Sequence, residues 1–211
     1  MLISESRRFV FVHVQKTAGT SITEVLAPFA LRPTATRLNR LASDLGLVRD
    51  WRRHHFRIHA PLRQAERILP QEVFESFYKF AFVRNPWDRL VSWYAYILQD
   101  RSHRRHRAVR RLPDFESFVN AELARTRSAQ WWMLTGHDGR LGVDFVGRFE
   151  NLERDMTEIC QRVGIPYEPL PHVNRTVTRA PYQTYFTPGL ARRVGERWAR
   201  EIEAFGYTFE D

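Results

Sequence analysis

Apolar residues along this chain fall into two rhythms. Phe9-Val10-Phe11-Val12-His13-Val14 and the segment Phe77–Val83 are short runs rich in aromatic and β-branched residues, which marks them as strands. Elsewhere apolar positions return every three or four residues, as on one side of a helix. The pattern predicts a strand over 9–14 and a helix over 20–27, then a polar, irregular stretch over 32–50, helical in part. A short second strand is expected over 55–58, ending at His59, followed by helices opening at Pro61 and Pro70. Next come a strand over 77–83, a helix over 86–99, and a helix over 115–124 capped by Asp114. A strand over 144–149 leads to a helix capped by Asn151 that stops before Gly164. One terminal helix runs from 188 to 205. Strands alternating with helices predict right-handed crossovers and an α/β fold, with a central parallel sheet flanked by helices. No repeat or linker divides the chain, so residues 1–211 read as one domain.

The first strand delivers a tight turn, Gln15-Lys16-Thr17-Ala18-Gly19-Thr20-Ser21, into a helix N-terminus. Backbone N–H groups and the positive end of a helix dipole converge there, the local geometry that holds a phosphate. Lys16 adds a full charge, and Thr17, Thr20 and Ser21 offer hydroxyl donors. Only two lysines, Lys16 and Lys79, stand among thirty-three Lys and Arg residues. A compact ammonium suits a point contact to a bridging oxygen better than a guanidinium fork does. The segment is not the ATP-binding G-x-x-x-x-G-K-[ST] loop, because Lys16 precedes Gly19, nor is it a dinucleotide G-x-G-x-x-G. An ordinary strand–turn–helix with an incidental lysine is the competing account.

The strand over 77–83 ends at Arg84-Asn85-Pro86. Asn85 can cap the following helix, Pro86 fits its first position, and Asp88 favours its positive end. Arg84 then stands where the strand stops and Ser92 about two turns into the helix. Both can face the crevice at the carboxyl edge of a parallel sheet, where open α/β folds bind ligands. An arginine fork with a serine hydroxyl makes a second phosphate site.

The pair HVQKTAGTS (His13–Ser21) and FAFVRNPWDRLVSWY (Phe80–Tyr94) resembles the two cofactor motifs of the sulfotransferases, in the branch that includes carbohydrate 2-O-sulfotransferases and bacterial relatives. The likeness continues through HFRIHAPLRQAERILP, VDFVGRFENLERDM, LPHVNRT and EIEAFGYTFE, in the family's order over most of the chain. It implies a P-loop-NTPase-like sulfotransferase fold and 3′-phosphoadenosine-5′-phosphosulfate (PAPS) as sulfuryl donor, with no metal. Lys16, Thr17, Ala18, Gly19, Thr20 and Ser21 would take the 5′-phosphosulfate, and Arg84 and Ser92 the 3′-phosphate. Arg175, Thr176 and Arg179 fall in a loop comparable to one that closes on the 3′-phosphate side; an ordinary surface loop is the alternative. One departure is Gln15, where the family usually has proline. The acceptor implied is a hydroxyl on a saccharide or glycolipid. A nucleotide-dependent kinase is the runner-up, opposed by the lysine's position and the lack of a magnesium-binding Asp pair.

Sulfuryl transfer needs a base for the acceptor hydroxyl, and histidine suits it at neutral pH. His59 aligns with the HA element whose histidine is the base in these enzymes; a structural role at a strand end is the alternative. His13 is expected to point into the fold, His54 and His55 are weaker candidates, and His172 is expected to shape the loop over the cofactor. Lys16 would bond the bridging oxygen as charge develops there. Glu150 could pair with an arginine or assist the base. Trp131 and Trp132 could stack on adenine or a sugar, or serve as core and rim.

Composition adds bounds. A chain of 211 residues with 43% hydrophobic content can bury a sizeable core. The single cysteine, Cys160, excludes an internal disulfide framework and reads as a small buried apolar residue. No apolar stretch reaches the roughly 18 residues of a membrane span, and no signal architecture is seen. With the resemblance, this points to a soluble bacterial enzyme of the cytoplasm, peripheral association with the inner membrane being left open. The net charge is +9, and six arginines crowd into Arg101–Arg111. That run is either a solvated loop or an electrostatic funnel for an anionic ligand. Nucleic-acid binding is disfavoured, since no recognised motif accompanies the charge.

Overall fold

The computed structural model describes residues 1–33, 36–170 and 180–210. Their contacts divide the chain into two compact units. The first combines Met1–Phe82 with Met133–Val173, and the second Val83–Trp132 with Asn174–Asp211.

The first unit is built on a four-stranded sheet in the order β1 (Leu2–Ser4), β2 (Phe9–Val12), β3 (Tyr78–Val83), β4 (Phe145–Arg148). β2 and β3 pair in parallel, with Val12 opposite Ala81, so their carboxyl ends lie at one edge of the sheet. β1 pairs antiparallel to β2 through a tight hairpin in which Arg8 takes φ 50°. The expected all-parallel sheet is therefore mixed. β1 is three residues long, too short to show a period. β2 is wholly buried, as a central strand covered on both faces must be.

α1 (Gly19–Leu26) follows β2, and α2 (Arg37–Asp44) is the helical part of the polar stretch. No strand forms over 55–58; residues 54–57 are irregular and 58–59 turn. There the His55 N–H donates to Ser43 Oγ (2.9 Å), and the His54 ring meets Phe56 edge-on. α3 (Leu62–Ile68) and α4 (Gln71–Ser76) follow the two prolines as expected. Phe9, Phe11, Phe80 and Phe82 form an aromatic layer. Ile22 and Leu26 of α1 pack on it, as do Met156, Ile159 and Cys160 of the helix that begins at Leu152. Lys79 is buried in β3, donating to the Phe74 and Phe77 carbonyls and pairing with Asp144 at 3.1 Å.

In the second unit, α5 (Pro86–Gln99) is capped by Asn85, whose Oδ1 accepts from the Trp87 and Asp88 N–H groups. The basic run is not a bare loop. It contains α6 (His106–Arg110), and Arg105 forms an ion pair with buried Glu122. Asp114 caps α7 (Phe115–Leu123) by accepting from the Ser117 N–H. α8 (Gln130–Leu134) carries the chain back to the first unit, where α9 (Leu152–Val163) stops at Gly164 with φ 67°. The expected terminal helix is two, α10 (Pro188–Arg197) and α11 (Ala199–Phe205), broken at Trp198. Trp198 is buried, with the Arg89 guanidinium 5.4 Å from its ring centroid. The core of this unit is Trp87, Leu90 and Val91 of α5 against Phe118, Leu190 and Val194.

Candidate active site

Residues 13–18 leave β2 in a conformation that L-amino acids avoid. Lys16 (φ 68°) and Ala18 (φ 59°) are both left-handed, with Thr17 between them. Such residues cost on the order of 1–3 kcal/mol each and persist where the surroundings over-determine them. Thr17 supplies part of that restraint: it is fully buried, and its Oγ1 donates to the Val14 carbonyl at 3.0 Å. Ala18 occupies the N-cap of α1 but has no side-chain acceptor, and the first turn carries no acid. The positive end of α1 is thus left without a negative group of its own, the condition for receiving an anion. Ser21 is buried in that turn and Thr20 is exposed.

Gly19, read from sequence as the turn residue, is required for another reason. A Cβ placed on it would lie 1.9 Å from Nε2 of His13. The His13 ring therefore rests directly on the start of α1, beside the loop. Burial, with a smaller contribution from the charge of His59, pushes its pKa down to about 3, so it stays neutral at physiological pH.

His59 meets His13 edge-on, with ring centroids 4.6 Å apart. Its Nδ1 lies 2.9 Å from the His13 carbonyl oxygen. A carbonyl can only accept, so Nδ1 carries the proton and Nε2 of the neutral ring holds the lone pair. His59 keeps an exposed edge, yet the protein packed around its ring lowers its pKa below the ordinary histidine value, the bond to His13 opposing. A turn and one carbonyl hold this residue, rather than the strand end expected from sequence. His13 was expected to point into the fold, and no sequence signal links it to Gly19.

In the second unit Arg84 is buried and committed on both its backbone and its side chain. Its Nε donates to Asp88 Oδ2 (2.6 Å) and one terminal nitrogen to Ser92 Oγ (3.2 Å), so α5 brings positions 84, 88 and 92 together. Asp88 engages the guanidinium as a second anion would. Gln130 clasps the Arg84 peptide from both ends, accepting from its N–H (2.9 Å) and donating to its carbonyl (2.8 Å). Gln130 is held in turn by buried Glu201, which also accepts from the Trp131 N–H. Burial raises the Glu201 pKa and lowers that of Arg89, each charge opposing the shift of the other. The structure brings Arg84 and Ser92 into contact; Gln130 and Glu201 were missed from sequence, because their partners lie 46 and more residues away.

Other candidates have ordinary partners. Glu150 lies 4.0 Å from Arg148. Arg200 covers the Trp131 ring at 4.2 Å and Arg127 the Trp132 ring at 5.2 Å. Arg175, Thr176, Arg179 and His172 fall outside the described residues. Among the described residues no three His, Cys, Asp or Glu side chains are grouped to hold a metal ion, and no helix is long and apolar enough to cross a membrane.

A profile of the sulfotransferase family matches residues 1–208, and so takes in both strand–turn–helix segments. The chain belongs to the sulfotransferase family. This sulfotransferase is 28% identical to an uncharacterized protein of Archaeoglobus fulgidus over 107 residues, which is 46% of this chain and 77% of that relative. Family membership makes sulfuryl transfer the general activity.

Proposed function

We propose that this chain moves a sulfuryl group from PAPS to a hydroxyl, on a saccharide or glycolipid acceptor, as a single sulfotransferase domain of the carbohydrate 2-O-type branch. The family generally uses this donor, which when bound supplies an activated sulfuryl group on a phosphate leaving group. The left-handed loop and the uncapped start of α1 suit the 5′ end, through Thr17, Ala18, Gly19, Thr20 and Ser21. The Arg84 and Ser92 donors suit the 3′-phosphate, which would compete with Asp88 for the guanidinium. Arg175, Thr176 and Arg179 are assigned to the same end by the resemblance alone.

The observation that carries the reading is the His59–His13–Gly19 contact. It ties a neutral histidine with an available Nε2 to the loop that suits the donor. His59 would take the acceptor proton at Nε2, and Lys16 would hold the oxygen that departs with the phosphate. We take the enzyme to be bacterial and cytoplasmic. Transfer of label from sulfuryl-labelled PAPS to a panel of saccharides, glycolipids and small alcohols tests the reaction and names the acceptor. Thermal shift separates the kinase alternative, because a ligand that binds only the native state raises its midpoint. The expected result is a rise with 3′-phosphoadenosine-5′-phosphate. A rise with ATP and magnesium alone would overturn the reading.

A further inference from the structure

α2 packs with its polar side inward. Ser43 is buried and accepts from the His55 N–H, and Asn39 donates to the Arg53 carbonyl at 3.1 Å. The leucines face the other way. Leu38, Leu41 and Leu45 are 77%, 56% and 63% exposed and recur at the spacing of one helical face. Leu47, just beyond the helix, is 68% exposed. A lone exposed leucine needs no account, but an ordered stripe of them marks a surface that meets something apolar.

The charges around the stripe say what that is. Arg52 is paired with Glu5, Arg53 with Asp50 and Arg57 with Asp44. Arg37, Arg40 and Arg49 are exposed, and their guanidinium groups have no hydrogen-bonded or ionic partner among the described residues. Arg37 and Arg40 lie on α2 itself, to one side of the leucines, and Arg49 in the irregular stretch that follows its turn. A helix with leucines outward and unpaired arginines beside them meets the two layers of an anionic bilayer surface, acyl boundary and headgroup phosphates. A second copy of this chain is disfavoured, since joining two such faces would set unpaired arginines against each other in a molecule of charge +9.

We infer that α2 and residues 45–49 form a docking surface for an anionic lipid bilayer. This inference concerns where the chain sits and does not rest on the donor or acceptor chemistry proposed above. Co-sedimentation with vesicles tests it. The full chain should pellet with vesicles of mixed phosphatidylglycerol and phosphatidylcholine and much less with phosphatidylcholine alone. The triple variant Leu38→Ser, Leu41→Ser, Leu45→Ser keeps the net charge and should bind the mixed vesicles roughly tenfold more weakly or worse, with its melting temperature unchanged. Arg37→Gln with Arg40→Gln and Arg49→Gln should also weaken binding. Arg107→Gln with Arg110→Gln, on α6, should weaken it far less. Unaltered binding by the leucine variant would overturn the inference, because charge alone would then explain it. So would the absence of vesicle binding by the wild type, or a dimer in sedimentation that the leucine variant dissociates.

Discussion

Lys16 and His59 divide the proposed chemistry between a leaving oxygen and an attacking one, and substitution separates the two roles. Lys16→Ala should depress kcat heavily and donor affinity by a smaller factor, because its bond strengthens as the oxygen gains charge. Unchanged turnover with a raised KM would show instead that Lys16 only holds the ground state. His59→Ala should lose about 10²–10⁴ in turnover with donor binding nearly intact. A base must be unprotonated, and burial sets the His59 pKa below its ordinary 6.5. kcat/KM should therefore rise with pH through a single group below that value, and the limb should vanish in the variant. The left-handed Lys16 and Ala18 were not legible in the sequence. Glycine is the residue that normally signals such a conformation, and here Gly19 is claimed by its contact with His13.

At the scale of elements, α5 gathers Arg84, Asp88 and Ser92, while Gln130 fixes the peptide from which the arginine departs. Arg84→Ala should weaken binding of 3′-phosphoadenosine-5′-phosphate by roughly 2–5 kcal/mol, the scale for truncating a hydrogen-bonded charge pair. A 5′-phosphate analogue lacking the 3′-phosphate should lose much less, as calorimetry with both ligands would reveal; equal losses would remove the assignment. This element was readable because its signals are local: Asn85 caps, Pro86 starts, and positions four and eight residues from Arg84 share its face. The segment over 55–58 misled for the opposite reason. Its alternation suggests a strand, but a strand needs a partner strand, and this stretch gives its His55 N–H to the Ser43 hydroxyl instead. The break at Trp198 was equally hidden. It accompanies the burial of one indole beside Arg89, more than a hundred residues earlier in the chain.

For the molecule as a whole, the buried histidine of the loop links stability to pH. His13 has a pKa near 3 when folded and should return toward 6.5 on unfolding. Between those values the unfolded chain binds the extra proton, so stability is retained above pH 6.5 and falls as pH drops toward 3. The contribution is on the order of 4–5 kcal/mol over that window. Urea denaturation at pH 7 and pH 4 should show a smaller loss for His13→Phe than for the wild type. The two strand–turn–helix segments, β2 into α1 and β3 into α5, were legible because periodicity and capping are written locally, whereas the three-residue β1 is too short to carry a pattern. The split into two units was not legible either, since it depends on which segments return to which core.

The burial of Lys79 has a practical consequence. Its ammonium is spent on the Phe74 and Phe77 carbonyls and on Asp144, out of reach of reagents in solution. Of the two lysines in the chain, Lys16 is the less buried, so an amine-directed acylating reagent should label its side chain in preference to Lys79. Mass spectrometry of peptides labelled with and without 3′-phosphoadenosine-5′-phosphate would then read occupancy of the loop directly. The protein carries its own footprinting probe, placed by nature at the residue in question.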